Sequence, residues 1–302
     1  NGWLCDGAGP DAREAETMHT FDAIVIGTGQ AGPPLAARLA GSGMKVAVIE
    51  RGRFGGTCVN DGCTPTKAMI ASAYCAQIAR RAGEYGVVLD SLPRVDMAKV
   101  RARKDAIVAR SRDGVEQWMD GLERTTVYRG HARFKDAAIV EVNGERLTAD
   151  RIFLDVGGRP LVPPLPGLDT VPFLTSVDMM ALDSVPEHLV VIGGSYVGLE
   201  FAQMMRRFGA QVTVVEKSPQ VVAREDEDVS EAIEAFLRNE GIHLRCEATC
   251  IDVRRERDGL SVGVECGRGE PRVGGTHLLL AMGRTPNTDD LGLDQAGIET
   301  DE

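Results

Sequence analysis

The sequence predicts an α/β fold with two similar parallel-sheet units in one chain. A short apolar run, a glycine-rich turn and a helical segment occur in this order at residues 21–39 and again at residues 188–208. Each helical segment leads into a second apolar run that ends in a glutamate, Glu50 in the first unit and Glu216 in the second. Strands that alternate with helices in this way form parallel sheets, because the returning chain needs a helical crossover.

The first unit begins with Phe21–Ile26, an apolar run typical of a buried strand. The turn after it carries the spacing G-x-G-x-x-G, at Gly27, Gly29 and Gly32. A helix is expected over 32–39, and the strand 45–49 ends in Glu50. The glycines permit a tight turn, close approach to a pyrophosphate and helix–strand packing, and the acid accepts from a ribose hydroxyl. This segment therefore predicts a dinucleotide site.

The same pattern recurs about 165 residues later. Strand 188–192 is followed by a second glycine-rich turn with Gly193, Ser195 and Gly198. Helix 196–208 and strand 211–215 follow, and the strand ends in Glu216. The chain is thus expected to bind two dinucleotides. Ser195 replaces the central glycine, so its side chain either crowds the pyrophosphate or offers it a hydrogen bond.

The segment GGTCVNDGCTPTK, residues 55–67, places Cys58 and Cys63 directly after the first unit. Asn60-Asp61-Gly62 supplies turn formers that can bring the two cysteines together. Thr64 is expected to cap a helix that has Pro65 at its first position. Cys63 would then lie just before a helix N-terminus, which favours a thiolate, whereas Asp61 opposes ionisation. A dithiol beside a bound dinucleotide suggests electron transfer, and the alternative is two buried, inert cysteines.

Other segments predict the elements between and after these motifs. A long charged helix with a solvated basic face is expected over 95–121, and Asn143-Gly144 predicts a hairpin between 139–142 and 145–148. The proline-rich run 160–166 is expected to be the crossover linker. The helix after Asp226 places four apolar side chains on one face, which is the spacing of a core-facing helix, at Val229, Ile233, Phe236 and Leu237.

Composition excludes several functional classes. The chain has 302 residues and a net charge of −11, which favours two domains and argues against nucleic acid or an anionic membrane as a partner. No apolar run approaches the length of a membrane span, and the acidic start lacks the apolar core of a signal peptide. A cytoplasmic enzyme is therefore expected. Seven cysteines at this length do not predict a disulfide scaffold.

Six segments together resemble the class I pyridine nucleotide–disulfide oxidoreductases, which include glutathione reductase, dihydrolipoamide dehydrogenase and mercuric reductase. The segments are FDAIVIGTGQAG (21–32), GGTCVNDGCTPTK (55–67), GHARF (130–134), VGGRPLVPPLPG (156–167), VVIGGSYVGLEFA (190–202) and AMGRTPNT (281–288). The similarity runs from about Met18 to the last residue. CVN after GGT, and AREDEDVSEAI (223–233), most resemble the mercuric reductase-like, FAD-containing branch.

The resemblance implies an α/β fold with two Rossmann-like dinucleotide-binding domains, one for FAD and one for NAD(P). Each has a parallel sheet plus an antiparallel β-meander. The implied boundaries are 18–159 for the first part of the FAD-binding domain, 160–282 for the NAD(P)-binding domain and 283–302 for the truncated return to the FAD domain. Residues 1–17 are expected to be a disordered or non-native extension. The family's second FAD segment and dimerisation domain are expected to be absent from this chain.

The resemblance also assigns roles to residues. The ADP half of FAD would be held by Gly27, Gly29, Gly32 and Glu50. Thr57 and Lys67 would lie along the flavin, and the backbone at Gly130 and Ala132 near the adenine. Cys63 would be the flavin-proximal thiol, and Cys58 the thiol that exchanges with substrate. Glu200 would pair with Lys67. The nicotinamide cofactor would be held by Gly193, Ser195, Gly198 and Glu216, with Gly283 and Arg284 nearby and Tyr196 over the nicotinamide.

Alternatives remain for several of these residues. Lys67 and Glu200 are otherwise ordinary surface charges, and Tyr196 is otherwise a packing residue. Two positions depart from the family. Asp61 stands where a small or apolar residue is usual, and Asp155-Val156 replaces the small residue and threonine expected before Gly157.

The function implied is electron transfer from NAD(P)H through FAD to a Cys58–Cys63 disulfide, and on to a substrate. Soft thiolates suit Hg(II), so a metal ion is one candidate substrate and a small-molecule disulfide is the other. No structural metal is expected, and the full-length parent would be a homodimer. Glu216 favours NADH over NADPH because a carboxylate repels the 2′-phosphate, although Lys217 and Arg224 offer charges that oppose this preference. The alternatives are dihydrolipoamide dehydrogenase or another disulfide reductase, a non-catalytic nucleotide-binding fragment, and a thiol-based metal-binding protein.

Overall fold

The computed structural model describes residues 18–249, 251–265 and 271–301. The expectation for residues 1–17 lies outside the described residues. In the first half, the strands are β1 (Met18–Phe21), β2 (Ala23–Ile26), β3 (Val46–Glu50), β4 (Thr125–Arg129), β5 (Arg133–Phe134), β6 (Ile139–Val142), β7 (Glu145–Ala149), β8 (Ile152–Leu154) and β9 (Gly158–Pro160). The helices there are α1 (Gly32–Gly41), α2 (Gly56–Asn60), α3 (Cys63–Arg80) and α4 (Met97–Asp120), with a 3-10 turn at Ala82–Tyr85.

The second half repeats this alternation. Its strands are β10 (His188–Ile192), β11 (Gln211–Val215), β12 (His243–Arg245), β13 (Val253–Glu256), β14 (Gly259–Gly263), β15 (Arg272–Gly275), β16 (His277–Leu280) and β17 (Arg284–Pro286). Its helices are α5 (Ser176–Met179), α6 (Tyr196–Phe208) and α7 (Glu227–Asn239), with 3-10 turns at Leu168–Thr170 and Leu293–Ala296.

Two parallel sheets have the same strand order, which confirms the internal repeat. The first runs β4-β3-β2-β8 and the second β12-β11-β10-β16. In the first sheet, β2 lies between β3, which follows it through a helix, and β8, which comes much later in the chain. In the second sheet, β10 lies between β11 and β16 in the same way. All four residues of β2 are buried, because helices and a second sheet cover both faces. The predicted α/β fold is thus confirmed.

Each parallel sheet is accompanied by an antiparallel one. Strands β5, β6 and β7 form a meander, to which β1 adds in parallel, and β13, β14 and β15 form the second meander. The predicted turn at Asn143-Gly144 joins β6 to β7. Both of its residues have positive φ, 51° and 84°, as a two-residue hairpin turn of the right twist requires.

The sequence predicts a single strand over the apolar run 21–26, but in the structure this run divides into two strands at Asp22. Met18–Phe21 pairs with β7 of the meander, whereas Ala23–Ile26 enters the parallel sheet. The Asp22 carboxylate accepts a hydrogen bond of 2.6 Å from the backbone N–H of Lys45, which fixes the bend between the two strands. An apolar run alone does not show such a change of sheet, because periodicity reports burial and not the pairing partner.

Helix α7 has its predicted core-facing role in part, because Ile233 packs against the core that contains Leu237. Leu237 is buried, but the side chains of Val229 and Phe236 lie on the outer face, 42% and 45% exposed. The apolar stripe is therefore wider than the surface that the second sheet covers.

The two units meet through helices α3 and α6, whose side chains share one apolar core. Members from α3 are Met69 and Ala73, and members from α6 are Phe201, Ala202, Met205 and Phe208. A second connection is the short antiparallel pair β9–β17, which joins residues 158–160 to 284–286. Among the described residues, no helix is both long and apolar enough to cross a lipid bilayer.

The shared core gives a stability prediction. We expect Phe208→Ala to lower the free energy of unfolding by about 3–4 kcal/mol, because it leaves a cavity between the units. Phe236→Ala is the matched control, since that ring is largely exposed, and we expect a change below about 1 kcal/mol. Urea unfolding curves of both variants give the comparison, and equal losses would contradict the assignment of the core.

Candidate functional site

A cavity of about 720 Å³ lies where the carboxyl ends of the first parallel sheet face the start of α6. Sheets of this kind place ligands at that edge. Of the residues predicted from the sequence, the cavity brings together Gly27, Gly29, Glu50, Thr57, Cys58, Cys63, Lys67, Gly130, Ala132, Tyr196, Glu200 and Arg284. Its lining does not include the other predicted residues, namely Gly32, Gly193, Ser195, Gly198, Glu216 and Gly283.

The first glycine-rich turn packs directly against the end of β8. Gly27 has φ of +109°, and a Cβ there would lie 2.2 Å from the carbonyl oxygen of Asp155. A Cβ at Gly32 would lie 2.1 Å from the carbonyl oxygen of Gly27. Only glycine fits these contacts. The Glu50 carboxylate accepts from the backbone N–H groups of Thr28, at 2.9 Å, and Gly52, at 2.7 Å.

The second turn repeats this geometry. Gly193 has φ of +116°, and its Cβ would lie 2.4 Å from the carbonyl oxygen of Ala281. Glu216 accepts from Gly194 N at 2.6 Å and Ser218 N at 2.8 Å, as Glu50 does in the first unit. Ser195 is the exposed residue directly before α6, and its hydroxyl makes no capping bond to the helix.

The two cysteines lie on consecutive helices that meet at a sharp bend. Cys58 belongs to α2, and Cys63 is the first residue of α3. The turn at Asp61-Gly62 separates the two helices, as the turn formers predict. The predicted cap at Thr64 is wrong, because α3 begins two residues earlier than expected, at Cys63 after Gly62. Pro65 is tolerated in the first turn, where its missing N–H has no partner to lose.

The backbone N–H groups at the N-terminus of α3 act on Cys58, which the sequence does not indicate. The Cys58 sulfur accepts hydrogen bonds from the backbone N–H groups of Cys63 and Thr64, and these lower its pKa. Burial of Cys58 raises its pKa by more than these two bonds lower it. The hydrogen bond and the charge of the Cys63 side chain also raise it, so the net pKa of Cys58 is above its ordinary value. Both residues are free thiols, Cys58 half-buried and Cys63 exposed.

One ion pair beside the dithiol was not predicted from the sequence. Arg53 Nη2 lies 2.9 Å and 2.6 Å from the two carboxylate oxygens of Asp61. The negative charge of Asp61 would oppose ionisation of a neighbouring thiol, and the positive charge of Arg53 offsets it. The sequence showed only that Asp61 is an acidic residue at an unusual position. It did not indicate Arg53 as the partner, because a separation of eight residues across a turn follows no helix or strand period.

A second pair joins the two units at the cavity. Lys67 on α3 donates to Glu200 on α6, so these side chains are not unrelated surface charges. Tyr196, at the start of α6, is 66% exposed and lines the same cavity, so it is not a core-packing residue. Arg284 donates to the carbonyl oxygen of Gly158, and its Nη2 lies 3.3 Å from the hydroxyl of Thr57.

Within the described ranges, no cluster of three or more His, Cys, Asp or Glu side chains has the arrangement of a metal site. Cys246 is remote from the dithiol, and burial together with Glu234 raises the pKa of its thiol to about 12. Cys250 lies outside the described residues.

Residues 21–302 match the family described as pyridine nucleotide-disulphide oxidoreductase. The chain belongs to this family. The membership confirms the resemblance seen in the six sequence segments. The family implies FAD and a pyridine nucleotide as cofactors.

Curated relatives of this chain include mercuric reductases and a dihydrolipoyl dehydrogenase. A mercuric reductase of Shigella flexneri is 39% identical over 283 residues, which cover 91% of this chain and 50% of the relative. A mercuric reductase of Lysinibacillus sphaericus is 34% identical and covers 93% and 51%. A dihydrolipoyl dehydrogenase of Thermus scotoductus is 35% identical and covers 94% and 62%. The chain thus spans about half to three fifths of the length of these relatives.

Solved structures in the family have the same fold. The HOCl-induced flavoprotein disulfide reductase RclA from Escherichia coli superimposes with a TM-score of 0.79 at 31% identity, covering 93% of this chain and 60% of RclA. A Cu(II) complex of RclA gives a TM-score of 0.81 at 30% identity, covering 94% and 61%.

The residues of the first unit fit FAD. Its two close-packed glycines clear the turn of side chains, Glu50 presents a carboxylate at the end of β3, and the cavity continues past the turn to the dithiol. The N-terminus of α1, which opens onto this turn, is where backbone donors bind phosphate groups.

The raised pKa of Cys58 predicts a slow reaction with iodoacetamide near neutral pH, because the thiolate is the nucleophile. The reaction rate of Cys58 in the folded protein should still rise at pH values where the rate for Cys58 in the denatured chain has reached its plateau. Cys63→Ala removes the thiol that helps to raise the pKa and keeps the backbone donors, so the midpoint should move to lower pH. Mass spectrometry of the Cys58 peptide measures both profiles.

Cys75→Ala is the control, because Cys75 is an exposed thiol farther along α3. It should leave the Cys58 profile unchanged. An unchanged midpoint in Cys63→Ala would show that the two thiols do not interact.

Proposed function

We propose that this chain is the nucleotide-binding part of a flavin-dependent oxidoreductase that passes electrons from NAD(P)H through FAD to Cys58 and Cys63. One observation carries the proposal: a dithiol, a glycine-rich nucleotide turn and residues of the second nucleotide unit line one cavity. The accompanying domain assignment gives 18–159 to FAD, 160–282 to NAD(P), and 283–302 to the return into the FAD domain. The pairing of β17 with β9 supports that return.

In this proposal FAD lies along the first unit. Its ADP half contacts the turn at Gly27, Gly29 and Gly32, with Glu50 at a ribose and the backbone of Gly130 and Ala132 near the adenine. Thr57 and Lys67 lie along the flavin. When bound, FAD would supply the chemistry that takes a hydride from the nicotinamide and delivers its two electrons to one disulfide.

The chain's own residues orient and tune this exchange. Lys67 is held by Glu200, which keeps its ammonium at the junction of the units. Tyr196 covers the nicotinamide position, and Gly283 and Arg284 border it. Cys63 is assigned to the flavin side and Cys58 to exchange with substrate. Backbone donors to the Cys58 sulfur stabilise it as the thiolate once it is released.

The substrate class is a soft electrophile that two thiols can attack or bind, either a small-molecule disulfide or Hg(II). The mercuric reductases among the relatives favour the metal ion, and the dihydrolipoyl dehydrogenase favours the disulfide. The full enzyme is proposed to act as a homodimer without nucleic acid or membrane partners. A reducing compartment such as the cytoplasm suits its free thiols.

The first test concerns the dithiol. In the FAD-loaded protein, reduction by one equivalent of NADH should produce long-wavelength absorption from a thiolate in contact with the flavin. Cys63→Ser should abolish this absorption. Cys58→Ser cannot form the disulfide, so its Cys63 thiolate should give the absorption beside the oxidised flavin without added NADH, while turnover with disulfide or Hg(II) stops. Persistence of the band in Cys63→Ser would overturn the assignment of the two thiols.

The nicotinamide cofactor is proposed to be NADH. Glu216 directly follows β11 and is held by two backbone donors, so its carboxylate is fixed where the ribose of the second nucleotide would lie. Lys217, one residue later, is exposed and offers an opposing charge. The fixed carboxylate supports this preference for NADH, because it cannot turn away without losing both bonds.

We expect the protein to bind NADH roughly tenfold more tightly than NADPH, because the Glu216 carboxylate repels the 2′-phosphate. Glu216→Ala should reduce this ratio by improving NADPH binding. Calorimetric titration with each nucleotide measures it. Glu225→Ala removes an exposed carboxylate from the following loop and should leave the ratio unchanged. An NADPH preference that survives Glu216→Ala would show that Glu216 does not contact the ribose.

A further inference from the structure

Asp155 places a carboxylate at the N-terminus of α1. Its backbone N–H donates to the carbonyl oxygen of Ile26 at 2.8 Å, which fixes it directly after β8 and beside the first glycine-rich turn. Its side-chain Oδ2 accepts from the backbone N–H of Gly32, and the N–H of Ala31 also points to this carboxylate. An anion that belongs to the protein thus occupies the position where a helix N-terminus would bind a phosphate.

The sequence of α1 makes these donors scarce. Pro33 and Pro34 follow Gly32 in the first turn, and neither has a backbone N–H. The N–H groups of Ala31 and Gly32 therefore carry most of the donor capacity at this helix end. Asp155 uses both of them, so a second anion cannot bind them while the carboxylate stays in place.

The second unit provides an internal comparison. Ala281 holds the position that corresponds to Asp155: its N–H donates to Ile192 O at 2.8 Å, and its carbonyl oxygen is the atom that a Cβ at Gly193 would meet. Its methyl group cannot accept a hydrogen bond. The first turn of α6 has no proline, so its N–H groups at Tyr196 and Val197 remain available to a diphosphate.

The charges around Asp155 do not favour its ionised form. Burial raises the pKa of Asp155, the bonds from Gly32 and Ala31 lower it, and Glu50 on β3 raises it further, with a net upward shift. The turn 27–32 and the start of α1 carry no titratable side chain. Four Lys and Arg side chains line the same cavity, and each already has a partner. Lys67 is bound to Glu200, Arg284 to Gly158 and Thr57, Arg51 to Asp290, and Arg53 to Asp61.

We propose that Asp155 competes with the diphosphate of FAD for the N-terminus of α1, and that FAD binds with uptake of one proton from water by the Asp155 carboxylate. This inference rests on the proposed FAD site. A diphosphate beside an ionised Asp155 and Glu50 would bring like charges together at the same donors. Protonation removes one of these charges and leaves Asp155 able to donate a hydrogen bond.

The sign of the pH dependence follows from this coupling. The bound state favours protonated Asp155, so FAD affinity is highest where the free carboxyl is already protonated. Affinity should fall as the pH rises above the pKa of the free carboxyl, which lies above its ordinary value of 3.8. The fall should continue until the pH exceeds the pKa in the complex. Binding of FAD should therefore take up protons at mildly acidic to neutral pH.

The test measures FAD binding to the intact chain by fluorescence quenching between pH 5 and pH 8, and proton uptake by calorimetry in buffers of different ionisation enthalpy. Asp155→Asn keeps the shape and removes the charge. At pH 7.5 we expect it to bind FAD roughly tenfold more tightly than the wild type, and its affinity to lose most of the pH dependence. Asp150→Asn removes an exposed charge five residues earlier and should behave like the wild type.

Ala281→Asp is the reciprocal variant. It places a carboxylate at the N-terminus of the second helix and should weaken NADH binding while leaving FAD binding unchanged. Equal FAD affinity in Asp155→Asn and the wild type would overturn the competition and leave the FAD site intact. Tighter binding by Asp155→Asn with no proton uptake by the wild type would overturn the coupling. Failure of both proteins to bind FAD would overturn the proposed FAD site, and this inference with it.

Discussion

The packing of α3 against α6 is the contact on which the candidate site depends. Helix α3 begins at Cys63 and carries Lys67, whereas α6 begins at the second glycine-rich turn and carries Tyr196 and Glu200. Their apolar faces share one core, so the two nucleotide units have a fixed relative position. Helix ends are the chemically active parts of such units, because their free N–H groups face the ligand. Packing two helices side by side brings two such ends to one cavity.

Three helix N-termini in this chain show how different side chains use the same backbone donors. At α3 the donors bind the sulfur of Cys58, at α1 they bind the carboxylate of Asp155, and at α6 no side-chain cap is made. In the first two cases the donors favour the charged form, but burial outweighs them and raises the pKa. Desolvation dominates because a few neutral hydrogen bonds replace only part of the hydration that burial removes.

The repeat itself makes the differences between the units informative. The glycine contacts, the glutamate bonds and the strand order are the same in both. Against this shared frame, Asp155 opposite Ala281 and Gly29 opposite Ser195 are changes beside the two glycine-rich turns. They are local changes in charge and volume that leave the fold unaltered.

The sequence alone determined the two units, their order and the bounds of several elements, including β10, α6 and β11. These features depend on residues that are close in the chain: a glycine spacing, an apolar run and a turn such as Asn143-Gly144. It also indicated the dithiol and the pairing of Lys67 with Glu200, although the latter came through family resemblance and not from the residues. Local patterns carry this information because helix, strand and turn preferences act over a few residues.

Only the tertiary structure decided which groups the donors and charges meet. Asp155 reaches Gly32 across 123 residues, and Lys67 reaches Glu200 across 133. The division of the run 21–26 at Asp22, the direction of the α3 N–H groups toward Cys58, and the exposure of Phe236 have the same origin. Each of these features depends on which distant segment packs against a residue. The periodicity of the sequence does not contain this information, because burial and strand pairing are set by the packing of the whole molecule.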